Sequence, residues 1–315
     1  MSFFAGAMPD AISQGILWAV MVLGVYITFK ILDIADLTVD GSFSLGGCTC
    51  AALMYNGMNP VLALFIGFLA GLLAGAVTGI LHTVFEIPAI LAGILTQISI
   101  WPINLKIMGR ANTPLMKTAD KKKIKSIFIL VSEKFGIDQS TATLIVGLVI
   151  VIVLIIFLYW FFGTELGSAI RATGNNEDMI RALGVNVKFT KLLSLMISNG
   201  LVGLAGGMVA QSQKYGDINM GTGAIVIGLA AIVIGEVLLG WLKSFGGKLC
   251  SVVVGSAVYF VIRAIVLELN LDANYMKLIS AVIIAIALSV PIVVEKIKIR
   301  SQYNPGFEDE EEASK

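Results

Sequence analysis

From Ala142 to Phe162 the chain runs for 21 residues without a charged side chain, nearly all of them Leu, Ile, Val or aromatic. As a helix such a run reaches about 30 Å, the thickness of a bilayer's hydrocarbon core. Comparable runs recur along the 315 residues, of which 57% are hydrophobic and 14% charged. Soluble domains carry about 25% charged residues, and the mean hydropathy here is +0.91. The composition predicts an all-α, polytopic helical membrane protein rather than a barrel. Apolar helices are read near 11–32, 43–58, 60–82, 88–108, 142–162, 192–211, 222–242, 249–268 and 276–295, giving about eight or nine transmembrane or re-entrant helices within a membrane domain of residues 1–299. The 43–58 piece follows the polar run Asp33 to Ser42. The 88–108 piece contains Pro88, Gln97, Pro102 and Asn104, so both read as broken or re-entrant. MSFFAGAMPD has no positive n-region, so no cleaved signal peptide is expected.

After Phe162 comes a polar island, residues 163–191, with seven charges in 29 residues. It must leave hydrocarbon for water between two spans. Asn175 and Asn176 are N-cap residues, Glu177 and Asp178 put negative charge in a first helical turn, and Gly184 is a natural stop. Met179, Ile180 and Leu183 form a small apolar face beside Arg181. Two readings stay open: a surface helix, or a stiff knob offered to a soluble partner.

Basic residues orient the spans. Arg171, Arg181, Lys188, Lys191, Lys243, Lys248, Lys296, Lys298 and Arg300 flank one side, against Lys214 and Lys277 on the other, nine to two. By the positive-inside rule the island and the C-terminus are cytoplasmic. The loop 109–138, which includes Lys121, Lys122 and Lys123, is placed outside against that rule, because one span separates it from the island. The acidic tail, 300–315, reads as solvated and disordered.

Gly67, Gly71, Gly75 and Gly79 form a small-residue ridge, and Gly200, Gly203, Gly206 and Gly207 another, suited to close helix packing within the chain or between subunits. Chemistry is sparse. His82 is the only histidine and has no metal-ligand spacing to a partner. Cys48, Cys50 and Cys250 sit in apolar surroundings, and no phosphate-binding G-x-x-x-x-G-K-[ST] loop is present. No catalytic or metal site is expected, and no basic, aromatic-interleaved face suggests nucleic acid. Candidate pathway groups are the polar side chains of apolar segments: Asp40, Ser42 and Phe43 at a helix start, Gln97, Asn199 and Glu236. Asp40 and Ser42 equally fit a helix cap. Glu236 and Arg263 could pair with each other, or Arg263 with Glu268.

The stretch LGSAIRATGNNEDMIRALGVNVKFTKLLSLMISNGLVGLAGGMVA resembles the cytoplasmic loop and following helix of ABC-importer permeases of the branched-chain amino-acid permease superfamily. The family pattern falls on Thr164, Leu166, Gly167, Ala169, Arg171, Ala172, Gly174 and Asn176, then Ala182, Gly184 and Asn186. ADLTVDGSFSLGG (35–47) and IPAILAGILTQISIWPINLKIMGRANTPL (87–115) resemble a branch associated with tryptophan or tyrosine import. The resemblance covers residues 30–295 and implies a type II importer half in a prokaryotic plasma membrane. Its partners would be a second permease copy, separate ATPase subunits holding ATP and Mg, an external binding protein and membrane lipid. The island becomes the ATPase-coupling segment and the basic loop a landing surface for the binding protein. This chain itself would hold no cofactor. Gly235-Glu236 stands where many members have Gly-Gly, so contacts from that helix do not carry over. The residues alone also fit a proton-coupled secondary carrier using Glu236.

Overall fold

The computed structural model describes residues 7–115, 124–242 and 244–268, with five isolated positions beyond (282, 285, 289, 293 and 296). Helix α1 (Ala7–Tyr26) continues as a π-helical turn, Ile27–Ile31. Then follow α2 (Thr38–Tyr55), α3 (Pro60–Thr83), α4 (Ala89–Met108), strand β1 (Asn112–Pro114), α5 (Ile127–Phe135) and α6 (Gln139–Phe161). The island folds as α7 (Glu165–Asn175) and α8 (Glu177–Ala182). The chain goes on through α9 (Val187–Gln213), strand β2 (Tyr215–Asp217), α10 (Ala224–Leu239) and α11 (Phe245–Glu268).

Six stretches are long and apolar enough to cross a membrane among the described residues: Met8–Ile31, Pro60–Thr83, Ala89–Met108, Gln139–Phe161, Val187–Gln213 and Phe245–Val266. That corrects the expected eight or nine. Helix α10 has 16 residues, about 24 Å at 1.5 Å per residue and short of a full crossing. Helix α2 is long enough, but Asp40, Ser42, Ser44 and Thr49 make it too polar to face lipid, and it is buried almost throughout. The segment read at 276–295 and the tail 300–315 fall outside the described residues, apart from the isolated positions.

The core is built around α9, which packs on α3, α2 and α1. The glycine ridges serve contact within the chain. A β-carbon at Gly71 would strike the Asn199 carbonyl, one at Gly75 the Leu195 carbonyl, and one at Gly46 the Gly203 carbonyl. Such approaches exchange side-chain bulk for backbone contact between helices, the packing that apolar surroundings favour. Helix α6 turns most of its side chains outward, including Val153, Ile156 and Trp160, as a peripheral span does.

Of the two breaks the sequence suggested, the one before 43–58 is present and the one within 88–108 is not. Helix α4 is continuous despite Pro102. The interruptions are the connections before α2 and before α10. Ser42 meets Asn199, and Gly206 abuts the Phe43 carbonyl, so α2 begins beside the middle of α9 and runs toward its C-terminal end. Helix α10 begins near Asp40, passes Met21 and Val25 in the second half of α1, and ends where Glu236 pairs with Lys30. Helices α2 and α10 thus have their N-termini together inside the bundle.

Strands β1 and β2 pair antiparallel, Asn112 opposite Asp217 and Pro114 opposite Tyr215. This joins the segment after α4 to the segment after α9 on one face, the hairpin face. The island and the turn at 84–88 lie together on the opposite face, tied by Lys188 and Glu86 at 3.4 Å. The loop 109–138 and the island therefore sit at opposite ends of α6. Lys121, Lys122 and Lys123 lie outside the described residues. Helix α5, capped by the Ser126 hydroxyl, is an element the sequence reading had treated as loop.

Candidate functional site

Where the N-termini of α2 and α10 meet, a cavity of about 530 Å³ opens between the start of α2, one face of α4 and the segment 218–222. Hydrogen bonds stitch that segment to α2. Asp40 accepts from the Gly223 amide at 2.8 Å through Oδ2 and from the Ile225 amide at 2.9 Å through Oδ1. The Ser44 hydroxyl donates to the Asp40 carbonyl at 3.1 Å and accepts from the Gly221 amide at 2.9 Å. Asp40 thus caps α10, where a carboxylate and a helix N-terminus favour each other. It does not cap its own helix.

Behind the cavity lies a buried polar network. Asn199, fully buried, donates to Asp36 Oδ2 at 2.6 Å and accepts from the Ser42 hydroxyl at 2.7 Å. Asp36 also accepts from the Thr38 amide at 2.9 Å. The hydroxyls of Thr38, Thr78 and Thr96 form a chain at 2.7 and 2.8 Å that ties α2 to α3 and α4. Among the described residues no lysine or arginine pairs with Asp36.

Of the six pathway residues read from sequence, Asp40 and Gln97 line the cavity. Ser42 and Asn199 belong to the network behind it. Phe43 is fully buried against the Trp18 ring, with centroids 4.8 Å apart. Glu236 is far from them, three residues before the end of α10, half-exposed and paired with Lys30 at 2.9 Å. The suggested Glu236–Arg263 pair is therefore corrected. Arg263 instead lies over the Phe260 ring, 5.6 Å from its centroid. Trp101 escaped the sequence reading, which named Asn104 only as a mark of a broken piece, although with Gln97 they have the i, i+4, i+7 spacing of one helical face. His82 is structural: its Nδ1 meets the Ile87 carbonyl at 2.9 Å and closes the turn after α3.

The island is a second candidate. Asn175 ends α7, and Asn176, in extended conformation, caps α8 by accepting from the Met179 amide at 2.9 Å. Gly184 has φ +82°, the left-handed stop that a β-carbon would strain. Glu177 accepts from Lys191 at 2.5 Å and Arg181 at 2.7 Å, clamping α8 to the first turn of α9. The Lys191 ammonium beside it, joined by Arg181, holds the Glu177 carboxyl below the usual glutamate range. Asp178 follows in the first turn of α8. Ile180 turns inward and is buried, so the apolar face narrows to Met179 and Leu183, which are 51% and 70% exposed. Gly174 packs against the Ile31 carbonyl, seating α7 on the end of α1.

Long apolar helices packed around the buried α2 define a multi-pass membrane protein. The chain belongs to the family described as branched-chain amino acid transport system / permease component, whose profile matches residues 8–288. It is similar to the "Tyrosine transport system permease protein" of Clostridioides difficile (strain R20291), 37% identical over 275 residues that cover 87% of this chain and 88% of that one. It is also similar to the "Ribose import permease protein RbsC" of Escherichia coli (strain K12), 24% identical over 274 residues covering 86% and 81%. Among solved structures, "PsaBC from Streptococcus pneumoniae in complex with Fab" matches with a TM-score of 0.48 and 17% identity over 91% of each chain. The chain is thus a membrane-spanning permease component of an ABC importer. Among the described residues no group of three His, Cys, Asp or Glu side chains could hold a metal ion.

Proposed function

We propose that this chain is one half of an importer pore that carries an amino acid, aromatic by its likeness to the tyrosine permease, into the cell. Asp40 and Gln97 stand on the pathway, with Ser42, Phe43 and Asn199 holding its wall. Separate ATPase subunits bind ATP and Mg and dock on the island, an external binding protein delivers solute to the hairpin face, and a second copy completes the pore. The island face and the C-terminus are cytoplasmic, as the basic-residue count supports.

The observation that carries this reading is α8. A capped helix of six residues, clamped through Glu177 to the start of the central helix, holds Met179 and Leu183 out in water. A push there passes along α9 to Asn199, and from Asn199 to α2 and the cavity. ATP-driven closure of the partners would bias the bundle between two openings. The proton-coupled alternative loses its support, since Glu236 sits at a helix end and away from the cavity.

Met179→Asp with Leu183→Asp tests the proposal. Burying two such side chains at an interface is worth about 2 kcal/mol or more, and charges there add desolvation cost. Copurification with the ATPase subunits should fall at least about tenfold, while the permease stays monodisperse in detergent. An intact complex with normal solute-stimulated ATP hydrolysis refutes the coupling role.

A further inference from the structure

A second cavity, of about 440 Å³, lies on the island face where α1, α7 and α11 come together. Three cations line it from three elements: Lys30 in the π-helical turn that ends α1, Arg171 on α7, and Lys248 in the first turn of α11. No carboxylate lines it. Glu236 neutralises Lys30 from outside the lining, at 2.9 Å, whereas Arg171 and Lys248 have no acidic partner among the described residues. Arg171 is steadied instead over the Phe245 ring, 4.9 Å from its centroid. Lys248 stands near a helix N-terminus, where a positive charge is unfavourable until an anion meets it. Tyr26 also lines the cavity and is only 5% exposed, yet its hydroxyl makes no hydrogen bond among the described residues. A nearly buried hydroxyl and two unpaired cations around one space are the donors an anion satisfies.

The level of the cavity in the bilayer identifies the source of that anion. The crossing stretches Met8–Ile31 and Gln139–Phe161 end there, and Phe245–Val266 begins there. The Phe162 and Phe245 rings, 5.3 Å apart, join the last two. Tyr159 and Trp160 at the end of α6, and Trp241 just before α11, are exposed. Exposed Tyr and Trp rings at span ends mark the headgroup level of a membrane. Basic cavities between helices at that level suit phosphate-bearing lipid headgroups. An Arg fork and a Lys point charge match the free oxygens of a phosphate diester. Toward the bilayer centre, α6 turns Val153, Ile156 and Phe157 outward, which gives acyl chains an apolar surface to lie on.

We propose that this cavity binds the phosphate of an anionic phospholipid from the leaflet on the island face, held by Arg171, Lys248 and the Tyr26 hydroxyl. The bound headgroup ties α7 to two spans, so the lipid composition sets how firmly the island is held. The proposal needs only the placement of the chain in a membrane and stands apart from the importer reading.

The test is native mass spectrometry of the delipidated full-length permease in detergent, titrated with phosphatidylglycerol, phosphatidylcholine or inorganic phosphate. The parent should retain phosphatidylglycerol in preference to phosphatidylcholine. A basic side chain at a bilayer surface contributes roughly fivefold to affinity for anionic lipid. Arg171→Gln with Lys248→Gln should therefore lower retained phosphatidylglycerol at least about tenfold. Lys106→Gln with Lys188→Gln removes the same charge from outside the cavity and should leave retention unchanged. Tyr26→Phe should weaken it about two- to tenfold, and Arg171→Lys should keep most of it. These are exposed or isosteric changes, so every variant should melt like the parent in phosphatidylcholine. In nanodiscs, amide exchange across residues 165–175 should slow about threefold or more on replacing phosphatidylcholine by phosphatidylglycerol, and the Arg171 and Lys248 double variant should lose that difference. Equal retention of the two lipids by the parent overturns the proposal. So does an equal loss in the two double variants, or displacement of the lipid by millimolar inorganic phosphate, which would make the ligand a free ion.

Discussion

Removing the Asn199 side chain should unlock α2 from α9. Asn199→Ala deletes a hydrogen bond to the Asp36 carboxylate at 2.6 Å and leaves the Ser42 hydroxyl, now 2.7 Å from nothing, without its acceptor. A bond to a charged acceptor contributes about 1.5–3 kcal/mol, and a buried hydroxyl stripped of its partner costs about 1–3 kcal/mol. The sum is about 2.5–6 kcal/mol, before any gain from water entering the gap. Asp36 keeps only its contacts with Thr38 among its hydrogen-bond partners in the described residues, and an under-satisfied buried carboxylate is the larger part of the damage. Asp36→Asn removes the charge, so in its background Asn199→Ala should cost less. The assay is equilibrium unfolding in mixed micelles for the parent, both single variants and the double variant. A coupling of about 1.5 kcal/mol or more is expected from a contacting pair in one network. Additivity within about 0.5 kcal/mol would refute the clasp.

Three shorter predictions follow from the same geometry. Gly46→Ala should destabilise by about 1–3 kcal/mol because its β-carbon meets the Gly203 carbonyl rather than a pliable side chain, whereas Gly246→Ala, whose nearest neighbour is Tyr159 at 3.4 Å, should melt like the parent. Since the folded-state value of Glu177 is depressed, its clamp is fully present above the ordinary glutamate value of about 4.3 and is lost as pH falls through the lower, folded value. A spin label on Asp178→Cys should therefore stay immobile from neutral pH down to that range and loosen below it, while loosening near pH 6–7 would contradict the assignment. With Lys125→Cys on the hairpin face and Asp178→Cys on the island face, an impermeant maleimide should label only the first in intact cells. Labelling of the second alone would invert the proposed orientation.

What the sequence made legible was whatever depends on neighbours along the chain. Apolar length located the six crossing helices to within a few residues. The cap at Asn176 and the stop at Gly184 are chemistry of the local backbone and fell where expected. Non-local choices stayed hidden. Asp40 looked like the cap of its own helix, yet it caps a helix nearly two hundred residues later; nothing near Asp40 encodes where α10 will start. Lys30 finds Glu236 across a similar distance in sequence. Ile180 turned inward because a helix of six residues can bury only one side against α9. Pro102 suggested a break in α4, although a proline late in a helical span removes one hydrogen bond without stopping the helix. That same suggestion hid the Gln97, Trp101 and Asn104 face, which has meaning only if the helix runs unbroken through it.

The two short strands have a mechanical consequence. Backbone hydrogen bonds between 112–114 and 215–217 act as a lintel over the cavity, fastening the end of α4 to the end of α9. Side chains there can vary without undoing it, since main-chain groups carry the load. The amide of Leu115 to the Lys214 carbonyl at 2.8 Å and that of Ile218 to the Ala111 carbonyl at 3.1 Å extend the beam at both ends. An entrance framed in this way does not widen by drawing α4 from α9. A tilt of α9 would carry the end of α4 with it through these bonds.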